Sequence, residues 1–405
     1  EKQILEKNEI IKNFELHLIE LELKSKELNN DIQLKKSNFQ LSNDKILEKY
    51  ELLDGFHSGI ANLFPGSGYI DFHENNLFVL SSRGVLAYTE NLNEETVFKQ
   101  IRNNINDYIG IDQFSKSHRF SLKDLFINKK KIFVSYTEEV KEDCWNTSII
   151  YSEVNYTGLV FKKLFSSKNN IDKPDECIHS SKNIDEEFAA VQAGGRIIKF
   201  DNNNILLSTG DYRNRYLAQD KKSINGKIIK INILNSKYEI ISMGHRNPYG
   251  LYYDIDGNYV LATENGPQGG DEINLIYLNK DDIQNYGWPK VSAGEHYGGK
   301  NPYNNTKYEK YPLYKSHTKY GFIEPLKSFV PSIGISEIIK INEKEYIFAS
   351  LRAKSLYFLK LNDVNEIADI KKVKIFERIR DLKLKENTLF MFLENSPSLG
   401  RIELN

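Results

Sequence analysis

The chain has 405 residues, with 55 Lys or Arg against 56 Asp or Glu and a formal net charge of −1; lacking a basic excess, it is not built to bind nucleic acid by neutralising phosphates. Its two cysteines, Cys144 and Cys177, exclude a zinc cluster and a disulfide framework, and leave open one pairing that spacing does not decide. Apolar residues make up 40% of the sequence and no apolar run reaches the roughly 20 residues that span a bilayer, so the length serves a buried core, in several domains or in one large β-domain of the kind that 24 Tyr and 22 Phe favour.

Residues 1–52 contain no Gly or Pro and are rich in Leu, Ile, Glu, Lys and Asn, which predicts a long helix. Setting Ile4, Ile11, Leu18, Ile32, Phe39, Ile46 and Leu53 at heptad position a gives an apolar column broken by Ser25. Position d is interrupted by Lys7, Lys35, Ser42 and Lys49. The expectation is a helical or coiled-coil segment over 1–54 that makes the protein oligomeric. A single helix packed along the rest of the chain, or a strand through the alternating Phe14–Leu23, stays open. The chain starts at Glu1 without an initiator Met, and a stalk of this kind often continues from a membrane anchor. A periplasmic or cell-surface location, anchored upstream, is therefore expected.

From Gly55 to Asn405 the character changes to short strands punctuated by Asn, Gly and Asp. A theme of polar turn, apolar-aromatic strand and often a second strand recurs around Leu77, Ile132, Ile205, Tyr259, Tyr346 and Leu389. Six copies predict an all-β, six-bladed propeller over 55–405, with two long insertions. The longer one, between Gly287 and Pro325, is rich in Tyr, Gly and Asn, and a loop of that length suits a lid or a contact surface.

Within Ser242–Pro289 three loops stand at strand ends: Gly244–Pro248, Glu264–Glu272 and Asn285–Pro289. Arg246 offers a planar cationic fork for a carboxylate. Gly266 and Pro267 carry backbone carbonyls, and Asp271 and Glu272 carry carboxylate oxygens, the donors that calcium takes. Ordinary turn chemistry accounts for any one of these loops, and less readily for all three together.

These loops resemble the signature of the glucose/sorbosone dehydrogenase family, and further similarity runs from about Ser121 to Ile402. The resemblance implies a six-bladed propeller that oxidises aldose sugars with pyrroloquinoline quinone (PQQ) and calcium. It places Arg246 and Asn247 beside the quinone, the carbonyls of Gly266 and Pro267 on calcium, and Tyr297, Arg352, Arg378 and Arg380 on the cofactor. Glu272 and Tyr286 match a second calcium site. Arg378 and Arg380 also read as a same-side pair in a surface ion cluster.

Two departures bear on activity. Relatives carry a His as general base where this chain has Gln192, and an amide cannot take the proton; losing a positioned base costs about 10²- to 10⁴-fold in rate. Relatives also read Gln-Gly-Gly-Leu-Leu-Asp where this chain reads Arg119-Phe120-Ser121-Leu122-Lys123-Asp124, so Arg119 takes the place of a Gln that contacts the cofactor. His118, His245 and His296 are candidate substitute bases, although the place of His245 in its turn suits a structural role. The expectation is a PQQ- and calcium-dependent aldose sugar dehydrogenase with its base replaced. The alternative is a non-catalytic propeller that binds glycans or serves assembly.

Overall fold

The computed structural model describes residues 31–41, 45–52, 67–82, 84–90, 92, 96–109, 122–181, 185, 187–279 and 282–404. Runs of Ile, Val, Leu, Tyr and Phe between polar turns form strands buried on both faces; in Asn204–Thr209 and Glu345–Ser350 five of the six residues are buried. Six antiparallel blades result. Blade 1 is Gly68–His73, Asn76–Ser81, Leu86–Thr89 and Val97–Gln100. Blade 2 is Leu122–Asn128, Lys131–Lys141, Cys144–Glu153 and Lys162–Phe165, and blade 3 is Gly194–Lys199, Asn204–Thr209, Lys227–Asn232 and Tyr238–Met243. Blade 4 is Pro248–Asp254, Tyr259–Glu264, Asp271–Tyr277 and Lys327–Phe329. Blade 5 is Ile335–Asn342, Glu345–Ser350, Ser355–Leu361 and Ile367–Lys374, and blade 6 holds Ile379–Lys385, Thr388–Leu393 and Ser398–Glu403. The six copies of the sequence theme are the second strands of the six blades.

The fourth strand of blade 6 comes from the other end of the chain. β1 (Asp31–Gln40) and β2 (Ile46–Leu52) are strands, so the long helix and coiled coil expected over 1–54 do not form over these residues; residues 1–30 lie outside the described ones. β2 pairs with Ser398–Arg401, and β1 pairs with β2 and with Val97–Lys99, which joins blades 6 and 1 in one nine-stranded sheet. The physical reason is burial on both faces of β2, Leu47 in one core cluster and Tyr50 and Leu52 in another. Leu47, Tyr50 and Leu52 are buried, whereas Phe39 and Ile46 of the heptad column are 48% and 50% exposed. The open edge of Ser398–Glu403 has a row of backbone donors and acceptors to satisfy, and β2 satisfies them.

The first strands of the blades pack side by side around one axis, in chain order and from the sixth back to the first. A carboxylate to backbone bond repeats across three of these junctions. Asp381 accepts from Ile70 N at 2.8 Å, Asp71 from Ile127 N at 2.6 Å and Asp124 from Ile197 N at 2.7 Å.

On the axis itself Arg196, 2% exposed, meets Asp124 at 2.5 Å, Glu337 at 2.7 Å and Asp381 at 3.0 Å. Burial pushes Asp124 up to about 7 and Glu337 up to about 8 against the pull of Arg196. Burial alone would pull Lys383 down; Asp71, Asp381, Glu337 and Asp124 outweigh it and hold that lysine above its ordinary value.

Candidate functional site at the propeller mouth

In a four-stranded antiparallel blade the start of the first strand and the turn between the second and third strands lie at the same end. Most of the residues singled out in the sequence sit in such positions. They therefore gather at one mouth of the ring. Five of the six first strands also carry a register shift near their start, in blades 2 to 6, and a bulge re-aims a side chain. In blades 2, 4 and 6 the residues so displaced are Lys123, Tyr249 and Arg380. The Arg380 guanidinium lies over the Tyr249 ring at 5.0 Å, and burial together with the Arg380 charge pushes Lys123 down to about 7.

Gln192 ends a short turn, Ala190–Gln192, before the first strand of blade 3. That turn lies so close to Gly210 that a Cβ there would stand 1.9 Å from the Gln192 carbonyl oxygen, so only glycine fits. With the amide oriented to satisfy both of its ends, Gln192 donates to Asp211 Oδ1 at 3.1 Å. Its oxygen accepts from Arg246 Nη2 at 2.8 Å and Arg213 Nε at 3.0 Å. Asp211 is fully buried and also accepts from Trp288 Nε1 at 2.7 Å. Burial pushes its carboxyl up, against Arg246 and the bonds it accepts.

Arg246 is 4% exposed, and its Nη1 donates to the carbonyls of Asn265 at 2.8 Å and Gly266 at 2.7 Å. Its Nη2 also reaches the Tyr297 hydroxyl at 3.3 Å, and its guanidinium lies 5.5 Å from the Trp288 ring. Asn247 accepts from Gly194 N at 3.2 Å. Gln192, Arg246, Asn247 and Tyr297 are thus brought together. Arg378 and Arg380 stand at the mouth end of blade 6, where Glu394 takes both Nε atoms, at 3.1 and 2.6 Å. Arg352 is exposed on the turn after Glu345–Ser350. Arg119 and His118 lie outside the described residues.

The expected metal ligands are differently placed. The Gly266 carbonyl is bonded to Arg246, and the Pro267 carbonyl accepts from Gly270 N at 3.3 Å and Ser332 Oγ at 3.4 Å. Gly266 sits so close to the Gly270 carbonyl oxygen that a Cβ would stand 1.6 Å from it, which fixes the loop as backbone against backbone. Glu272 is buried opposite Glu264, and burial followed by that neighbouring charge holds its carboxyl well above the ordinary range. The Tyr286 hydroxyl donates to Leu275 O at 2.6 Å. Among the described residues no group of three or more His, Cys, Asp or Glu side chains is arranged to hold a metal ion.

Neither of the two described candidate histidines is poised as a base. His245 is fully buried and uses both ring nitrogens, on Ser242 Oγ at 2.8 Å and Glu264 at 2.9 Å. His296 Nε2 faces Tyr311 O at 2.8 Å, and burial pushes the ring down to about 4. The sequence reading missed Asp211, Arg213, Trp288, Lys123 and Glu394. The signal for Arg213 was two arginines in Asp211–Arg215, directly after a strand already identified.

Residues 119–402 match the family described as Glucose / Sorbosone dehydrogenase. Over 220 residues the chain is 31% identical to an uncharacterised protein of Synechocystis, covering 47% of this chain and 50% of that one. Over 119 residues it is 32% identical to the aldose sugar dehydrogenase of Escherichia coli, covering 26% and 31%. The chain thus spans about half or less of the length of these relatives. Among solved structures, a glucose dehydrogenase superposes with a TM-score of 0.64 at 17% identity, over 88% of this chain and 98% of that one. The PQQ-bound aldose sugar dehydrogenase of Streptomyces coelicolor does so with 0.59 at 18%, over 86% and 96%. At such identities the structures share the fold, while the sequence match extends over most of the chain and includes every described mouth residue: this chain belongs to the glucose/sorbosone dehydrogenase family.

Proposed function

We propose that the propeller takes PQQ and an aldose sugar at its mouth, and that it turns the sugar over slowly because Gln192 stands where a base is needed. The observation that carries this reading is the bonding of the Gln192 amide, fixed between Asp211, Arg213 and Arg246. Its oxygen is an acceptor already engaged by two cations. It can receive a hydrogen bond from a hydroxyl but cannot remove the proton.

Fit to the cofactor rests on charge. PQQ is an anionic quinone that accepts two electrons when bound. Arg246, Arg378 and Arg380 supply cationic donors around the mouth, with Arg352 at its edge, and Glu394 orients the blade 6 pair through their Nε atoms. Arg246 would hold an anionic oxygen in place, anchored from behind by two carbonyls. Calcium on the Gly266 and Pro267 carbonyls would require Arg246 to share or release Gly266. Calcium at Glu272 would have to displace the proton that burial favours on that carboxyl. A rise in melting temperature with calcium, reversed by chelator, measures either event.

The Cys144–Cys177 disulfide supports an oxidising compartment, the periplasm or the cell surface. The second reading, a non-catalytic glycan-binding propeller, is favoured by the same engaged amide. PQQ titration followed by absorbance, then glucose oxidation with an artificial acceptor, separates the two. Gln192→His should raise a slow wild-type rate by at least about tenfold. Absence of any PQQ spectral change in both proteins leaves the binding module as the function. A fast wild type that Gln192→His does not improve overturns the role given to Gln192 and directs attention to Lys123.

A further inference from the structure

Arg213 is held in place by an unusual backbone. Tyr212 and Arg213 are consecutive non-glycine residues in the left-handed region, at φ 52° and 68°. The Arg213 amide donates to Asp211 Oδ1 at 2.8 Å. Left-handed conformations are strained for such residues and collect at ligand sites. The turn brings the Arg213 guanidinium to Gln192, beside that of Arg246 and over the Tyr297 ring at 5.3 Å; Arg246 lies 5.8 Å from the same ring.

Two guanidiniums so close repel. Burial, and then the charge of Arg246, hold Arg213 below its ordinary pKa. The described carboxylates in the neighbourhood are engaged with other groups as well. Asp211 bonds Trp288, Gln192 and a backbone amide; Glu187 pairs with Arg215 at 2.6 Å and with Lys307; Asp185 bonds Lys310 and Tyr311; Glu264 bonds His245 and the Arg246 amide. Among the described residues the guanidinium of Arg246 bonds four neutral oxygens. That of Arg213 spends Nε on Gln192, and among the described residues its nearest carboxylate is Glu187, at 3.9 Å. Among the described residues its Nη edge thus meets no carboxylate closer than that, and its side chain is 28% exposed.

We propose that Arg213, backed by Arg246, is a carboxylate-binding subsite, and that the sugar this chain takes is an acidic one, a hexuronate or a glycan carrying one. This rests on the reading of the mouth as a sugar site. A carboxylate there relieves the repulsion and accepts charge-assisted bonds from a fork that matches its shape. Tyr297, 52% exposed, offers ring surface to the pyranose. A neutral sugar gains only the ring contact and neutral hydrogen bonds.

The test is calorimetric titration of the chain, without added cofactor, with D-glucuronate, D-galacturonate, D-glucose and inorganic phosphate at two salt concentrations. At least one uronate should bind about tenfold or more tighter than glucose and phosphate, with an affinity that falls as salt rises. Arg213→Gln should lower that affinity at least about tenfold, and Arg213→Lys by less, with melting temperatures as the control of fold. Equal affinity for uronate and glucose overturns the proposal, as does a uronate preference that survives Arg213→Gln. Phosphate binding as tight as uronate overturns the sugar assignment. If PQQ changes the spectrum while uronates show no preference, this inference fails and the proposed function stands; if neither PQQ nor any sugar binds, both fail.

Discussion

Two clusters of charge in this ring are built differently. On the axis, Arg196 is surrounded by Asp124, Glu337 and Asp381 within 3.0 Å. At the mouth, Arg213 and Arg246 share one neutral amide oxygen. The first arrangement is complete: cation and carboxylates answer one another, and nothing further is needed to hold the first strands together. The second keeps two like charges side by side on a left-handed turn, which stability alone does not favour. The contrast separates charge that holds a fold from charge that awaits a ligand.

Arg196→Met breaks the contrast most severely, because it leaves three carboxyls facing one another on the axis. A loss of about 3–5 kcal/mol in stability is expected by chemical denaturation, and a loss within about 0.5 kcal/mol would mean that the axial cluster is not structural. The pH dependence of the same cluster is a smaller effect. Asp124 and Glu337 keep protons up to about 7 and about 8 in the folded chain, whereas unfolded carboxyls release them near about 4. Between those values the folded state binds more protons, so this contribution to stability falls as pH rises. Glu337→Gln should remove part of the slope. Its stability relative to wild type, read by chemical denaturation, should climb from pH 5 to pH 8 by an amount on the order of 1–2 kcal/mol; a constant difference would contradict the raised carboxyl.

The mouth should respond in the opposite sense. Arg213→Gly relieves both the left-handed backbone at φ 68° and the repulsion from Arg246, and should stabilise the chain by about 1 kcal/mol while abolishing any uronate preference. Destabilisation by that substitution would show that Arg213 is structural, like Arg196.

The ring itself was legible because each blade repeats one local pattern. Leu77, Ile132, Ile205, Tyr259, Tyr346 and Leu389 all fall in second strands, where burial on both faces forces an apolar run. The N-terminal strands were not legible. "ILEKYEL" puts Ile46 at heptad position a with Lys49 interrupting d, and as a strand buries Leu47 on one face and Tyr50 and Leu52 on the other, and the arbiter is a partner strand far along the chain. That Gln192 and Arg246 belong to one site was implied by the resemblance to the family, not by spacing alone. Arg213 was not legible, since its meaning lies in neighbouring carboxylates engaged by other cations, Glu187 reaching it only at 3.9 Å, which only coordinates reveal.

The pairing of β2 with Ser398–Arg401 has a consequence for synthesis. Glu48 bonds Arg401 across 353 positions, so the strand made early by the ribosome must wait until the last has emerged. Until then β2 and the edge of Ser398–Glu403 are unmatched templates, each able to recruit another chain. Ring closure is thus a terminal, all-or-none event. A polypeptide that stopped before Ser398 would keep five blades' worth of local order and lose the latch that joins them.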